Sequence, residues 1–212
     1  GVLNAEGGRV ALEARAKDAL QSTVINSDGI IRARGVVERN GQILLDGGSS
    51  GVVAVSGELD ASGRGTGQRG GEVRVLGDDV RLTGTARVDA SGDRAGGAIS
   101  IGGISQLQGA PASAAGRTQT GADTRLLADA LVSGDGGSIF LWGSRTLTVG
   151  GNVSVRGGLQ GGNGGFVETS GQGLIHLPGR IDASAPNGNV GTWRIDPDDI
   201  RATVAACVVA GG

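Results

Sequence analysis

The chain has 212 residues, a net charge of −2 and a pI near 5.4, with 44 glycines and only 2 % aromatics. Near-neutral charge, spread rather than clustered, excludes an electrostatic footprint for nucleic acid. So few rings exclude a conventional globular core, whereas a narrow channel of stacked Val, Ile, Leu and Ala needs none.

Residues 1–35 are the least regular. Val10 to Gln21 has helical propensity, but it follows Gly7-Gly8 as later strands follow later Gly pairs, which favours strand, bend and strand. Two apolar strands then flank Asn40-Gly41, a strong turn signal. From Gly41 the alternation is strict. Val53 and Val55 alternate with Ala54 and Ser56, then Leu59 and Ala61 with Asp60 and Ser62. In the next coil Val73, Val75, Val80, Leu82, Ala86, Val88 and Ala90 make one face. Arg74, Arg81, Arg87, Asp89 and Ser91 make the other. Successive strand side chains point to opposite faces, so the first set is predicted inside and the second in water. A slip of one residue would bury the arginines, so the register is strongly specified.

The Gly pairs at 70, 96, 136 and 164 are separated by 26, 40 and 28 residues. Alternation inside repeats of this length predicts an all-β solenoid, one segment over residues 1–212 with roughly seven coils. The longest interval holds an insertion. Ala110 to Thr124 is small and polar, and Pro111 breaks the strand, so a projecting loop is predicted at 110–124. Strands stacked about 4.8 Å apart give a rod on the order of 35 Å long, with open edges that invite end-to-end or lateral self-association. The chain opens in mid-pattern, without an initiator Met or signal peptide, and reads as a segment of a larger protein. No apolar run approaches the about 20 residues of a membrane-spanning helix. The lone Cys207 excludes an internal disulfide and leaves an incidental thiol or intermolecular pairing.

Three runs carry a family resemblance: Gly164 to Gly171 (GGFVETSG), Ile181 to Ala185 (IDASA) and Gly191 to Ile200 (GTWRIDPDDI). Ala128 to Gly137, Val153 to Gly158 and two runs near the start fit the same pattern. The chain resembles filamentous-haemagglutinin-like exoproteins of the two-partner secretion pathway. The nearest subset is the high-molecular-weight adhesins and haemopexin-binding exoproteins. The resemblance implies a right-handed parallel β-helix, a TpsB-type outer-membrane barrel transporter as partner, and a secreted or cell-surface location in a Gram-negative bacterium. Two departures stand out. The Asn-Pro-rich motifs of the family's secretion domain are absent, which sets this segment just downstream of that domain. Arg194 stands where the family has an apolar residue after its Trp, with Trp193 and Ile195 predicted to face inward.

Asp60, Asp89, Asp129 and Asp182 are read as one column of equivalent positions, interrupted by Arg156. Stacked like charges repel by about 1 kcal/mol in water. Each Asp is expected to bond a backbone N–H in its own turn, helped by the following Ser, with a calcium ladder as the alternative. The calcium nonapeptide is missing, since Phe166 stands where its Asp belongs. No acid–base cluster falls together in this register, and His176 is alone on an outward face, so no catalytic residue, metal site or cofactor is predicted. Phe140 and Trp142 face outward by the alternation, and Phe166 can join them. Either the 110–124 loop covers them, or they form a ligand patch with Arg117 of that loop. The two function classes are thus a structural stalk, and a module that binds host-surface, bacterial-surface, glycan or haem-carrier ligands.

Overall fold

The computed structural model describes residues 1–14, 24–35, 40–104 and 114–197. Three parallel sheets form the walls of a right-handed β-helix. The first stacks Val2–Asn4, Ile30–Arg32, Glu58–Asp60, Arg87–Asp89, Arg125–Leu127, Asn152–Ser154 and Arg180–Asp182. The second stacks Arg9–Glu13, Gln42–Asp46, Glu72–Leu76, Ala98–Ile101, Ser138–Trp142, Phe166–Gly171 and Thr192–Pro197. The third has Val24–Ser27, Val52–Val55, Asp79–Leu82, Arg117–Thr120, Thr146–Val149 and Leu174–His176. The chain visits the three in rotation, so each coil contributes one strand to each wall.

The apolar alternation aims one side of every strand into the channel. Val73, Val75, Val80, Leu82, Ala86, Val88 and Ala90 are all fully buried. The register aligns like with like: Ile43, Val73, Ile99, Ile139 and Val167 form one column along the second sheet. Burying each such side chain stabilises by about 1.5–3 kcal/mol. Trp193 extends that column beside Val167, and Ile195 pairs with Thr169, so both take inward positions. They are 41 % and 46 % exposed because theirs is the last described strand of the sheet.

The Gly pairs answer to backbone crowding. A Cβ on Gly97 would lie 2.0 Å from the Gly71 carbonyl oxygen, and one on Gly137 would lie 2.1 Å from that of Gly97. Gly165 and Gly191 repeat the relation to the coil before them. The second Gly of each pair therefore sits directly against its own counterpart, at a separation that no side chain fits.

Three expectations are corrected. Arg117–Thr120, inside the span predicted as a loop, is a strand seated between Asp79–Leu82 and Thr146–Val149. Thr118 and Thr120 fill its inward positions, so the alternation is present but written with hydroxyls instead of aliphatic side chains. Thr120 Oγ1 settles its polarity by donating to the Gly150 carbonyl at 2.9 Å. Ala110 to Ser113, Cys207 and the end of the Val10–Gln21 segment lie outside the described residues. Second, Asp89 and Ser91 do not face water; both are buried under Arg64 and Arg87. Third, Asp129 is displaced from the Asp column. Asp60 pairs with Asp89, but Asp89 pairs with Leu127, then Ser154, then Asp182.

Val88→Asp should lose about 4 kcal/mol or more in denaturant unfolding, because it buries an unpaired charge. Gln119→Asp, on an outward position beside Arg81, should stay within about 0.5 kcal/mol of wild type. Gly97→Ala should cost about 3 kcal/mol through forced separation of two coils. Equal losses at Val88 and Gln119 would refute the register.

Candidate functional site

The outer margin of the first sheet, where each strand ends and turns, carries most of the organised polar chemistry. Three of its aspartates cap their own turns. Asp60 Oδ1 accepts the Ser62 N–H at 3.1 Å and the Ser62 hydroxyl at 2.6 Å. Asp89 Oδ1 accepts the Ser91 N–H at 2.9 Å, and Asp182 Oδ1 the Ser184 N–H at 3.0 Å. Ser154 occupies the aligned position where that carboxylate is missing, and Asp129 reaches across to supply it. Its Oδ1 accepts the Ser154 hydroxyl at 2.6 Å and the Arg156 N–H at 2.7 Å. The displaced Asp is thus a cap for the next coil.

Each buried carboxylate also meets an arginine at its other oxygen. Arg34 donates to Asp60 at 2.6 Å, Arg64 and Arg87 to Asp89 at 2.6 and 2.5 Å, and Arg156 to Asp129 at 3.0 Å. Burial pushes the Asp60 carboxyl up, but the Ser62 hydroxyl, the Ser62 N–H and Arg34 outweigh it and hold it below the usual carboxylate range. The Ser184 hydroxyl, against a smaller burial penalty, holds Asp182 below that range too. These hydrogen bonds raise the Arg34 and Arg156 guanidinium groups above their ordinary values. Oxygens already engaged by N–H, hydroxyl and guanidinium donors leave little for a cation, and among the described residues no three His, Cys, Asp or Glu side chains group as metal ligands.

The aromatic patch is only partly assembled. Phe140 and Phe166 are half-buried on the outer face of the second sheet, ring centroids 6.0 Å apart and tilted by 52°. Trp142, expected as an exposed contact, is 8 % exposed, with its ring carbons against Gly103. Its Nε1 has no hydrogen-bond partner among the described residues. Arg117 is exposed but belongs to the third sheet, in line with Asp79 and Thr146. His176 is exposed on that same sheet.

One feature escapes the alternation: a groove of about 480 Å3 across the first sheet, lined by five arginines and three aspartates. The clue in the sequence is small. Arg87-Val88-Asp89 and Arg180-Ile181-Asp182 both place an Asp two residues after the Arg, whereas Arg125-Leu126-Leu127 does not.

No family model matches the chain, and no curated protein matches it significantly. Among solved structures the chain is similar to the crystal structure of the HMW1 secretion domain from Haemophilus influenzae, at 26 % identity and a TM-score of 0.71. The match covers 92 % of this chain and 48 % of that one, so this chain spans about half the length of that structure. The similarity supports a TpsA-like β-helix and does not distinguish the adhesin and haemopexin-binding subset.

Asp60 and Asp182 make the fold sensitive to acid. A carboxyl held low in the folded state stabilises above its ordinary value of about 3.9, and that stability disappears as pH falls through the lower folded value. The melting temperature should therefore be flat above about pH 5 and fall below about pH 4. Asp60→Asn should lower the plateau and make the acid fall shallower, as read by thermal melts across that range. A fall as steep as wild type's would refute the capping geometry.

Proposed function

We propose that this chain is a structural stalk segment of a secreted or surface-exposed adhesin-like exoprotein, exported through a TpsB-type barrel in a Gram-negative outer membrane. The observation that carries the reading is the unbroken parallel stack, together with its similarity to the HMW1 secretion domain. Inward positions go to Val, Ile, Leu, Ala and Thr, and the outward acids of the first sheet are spent on turns. Such a stack makes length and performs no chemistry. Each coil buries its apolar face only against its neighbours, so folding can propagate coil by coil as a thread emerges from a pore. The expected place just downstream of a secretion domain rests on the missing Asn-Pro-rich motifs alone, since the solved structure that the chain resembles is itself a secretion domain. The alternative is a ligand-binding module, which the half-buried pair of Phe140 and Phe166 favours.

The test replaces residues 1–197 in the parent protein with a foreign β-helix of equal coil number. Export and surface display should persist, and adhesion of the parent should be unchanged. Loss of export with a folded replacement would show that the segment itself is read by the transporter. Loss of adhesion alone would show that it binds ligand, and Phe140→Ala/Phe166→Ala in the native segment would then reproduce that loss.

A further inference from the structure

We propose that the outer face of the first sheet binds an acidic polysaccharide, holding its anionic oxygens with Arg125 and Arg180 over a leucine floor. This goes beyond the stalk reading and does not involve the aromatic pair. The groove of about 480 Å3 crosses the coils from Arg87–Asp89 to Arg180–Asp182 and is of a size that holds small ligands. Arg87 pairs in register with Arg125, Arg125 with Asn152, and Asn152 with Arg180. Three arginines and an amide thus stand in one column on four successive coils. Five arginines against three aspartates line the groove, in a chain whose net charge is −2.

The arginines are not equivalent. Arg64, Arg87 and Arg156 are occupied by the buried aspartates. Arg125 and Arg180 are exposed, and among the described residues neither forms a salt bridge. For Arg125 its own coil explains why; Arg180 keeps an Asp two residues on, Asp182, and lowers its carboxyl by charge alone, without an ion pair. Leu127 stands in the register position of Asp89, so the carboxylate that pairs with Arg87 has no counterpart here. That one change does two things: it releases a guanidinium, and it lays half-buried Leu127 along the groove, which half-buried Leu131 also lines.

Guanidinium groups grip carboxylate and sulfate through paired N–H bonds, so the ligand carries one or the other at intervals along an extended chain. Sugar-ring carbons cover Leu127 and Leu131, and hydroxyls reach the exposed Asn152 amide. A peptide finds no such fit, because adding a strand needs a sheet edge. Here the groove lies on the face of inner strands whose backbone groups already bond to neighbouring coils.

Isothermal titration of the 212-residue chain tests this. The probes are oligogalacturonate, heparin oligosaccharide, neutral dextran and poly-glutamate, at low and moderate salt. One or both acidic saccharides should bind, more weakly as salt rises, and which one binds tells carboxylate from sulfate. Dextran should not bind. Arg125→Gln/Arg180→Gln should weaken binding about tenfold or more while leaving the melting temperature in place. Leu127→Asp, which supplies the missing intracoil partner, should do the same; if it unfolds, the double variant alone decides. No binding to either acidic saccharide, affinity unchanged in the double variant, or tighter binding of poly-glutamate than of the saccharides would overturn the proposal.

Discussion

The spacing between neighbouring coils is the constraint on which the rest of this structure depends. Parallel strands stack at about 4.8 Å, and every coil must repeat that distance on all three walls. Where the walls meet, the backbone of one coil presses on the next so closely that Gly71, Gly97, Gly137, Gly165 and Gly191 cannot carry a Cβ. The same spacing lines up inward residues as columns, so a residue that fits one coil fits the next. It lines up outward residues too, and there the consequence is electrostatic. Identical side chains in successive coils become neighbours, and charges that recur in register must be neutralised. Arg34, Arg64, Arg87 and Arg156 do this for Asp60, Asp89 and Asp129.

Much of the fold was legible because strand alternation has a period of two and aliphatic side chains report it directly. Val73 to Ala90 needed no further information. Three things were not legible, each for a physical reason. Thr118 and Thr120 are buried, but a hydroxyl residue in a run of Arg, Gln and Thr carries no apolar signal, so a strand read as loop. Asp89 is outward by alternation and yet buried, since alternation gives direction and not cover; the cover comes from Arg64, in the turn of the preceding coil. Asp89 and Asp129 each stand seven residues before a Gly pair, at Gly96 and Gly136, and that equality marks equivalent positions only where the turns are equally long. The Gly92–Ala130 bridge keeps the 38-residue offset of Asp89 and Leu127, whereas Gly96 and Gly136 are 40 apart, so two extra residues lie between that bridge and the Gly pair.

The candidate surface sites show a similar division. Phe140 and Phe166 meet because their strands are adjacent and their positions differ by two along the register, which alternation alone anticipates. Trp142 has the same outward parity but lies at the end of its strand against Gly103, and glycine's missing side chain lets the ring fold down onto backbone. Arg117 belongs to a different wall. Parity along one strand is read easily; which wall a residue occupies requires the turns, and the turns were the weakest part of the sequence signal.

In a stack this repetitive, the departures carry the information. The coil of Arg87–Asp89 has its outward polar groups committed: Asp89 to Ser91, and Arg87 and Arg64 to Asp89. Ser154 breaks the pattern, and Asp129 repairs it from the preceding coil, so the turn is still capped. Leu127 breaks it without repair, since nothing among the described residues replaces the carboxylate that Arg125 lacks. The two substitutions sit on consecutive coils in the same register position. The first preserves the scaffold by a detour; the second gives up a local ion pair, worth little at a surface, and leaves a cation beside apolar area. A scaffold selected for rigidity alone has no use for that exchange, which is why the functional content of the molecule is to be sought at Arg125 rather than in its regular coils.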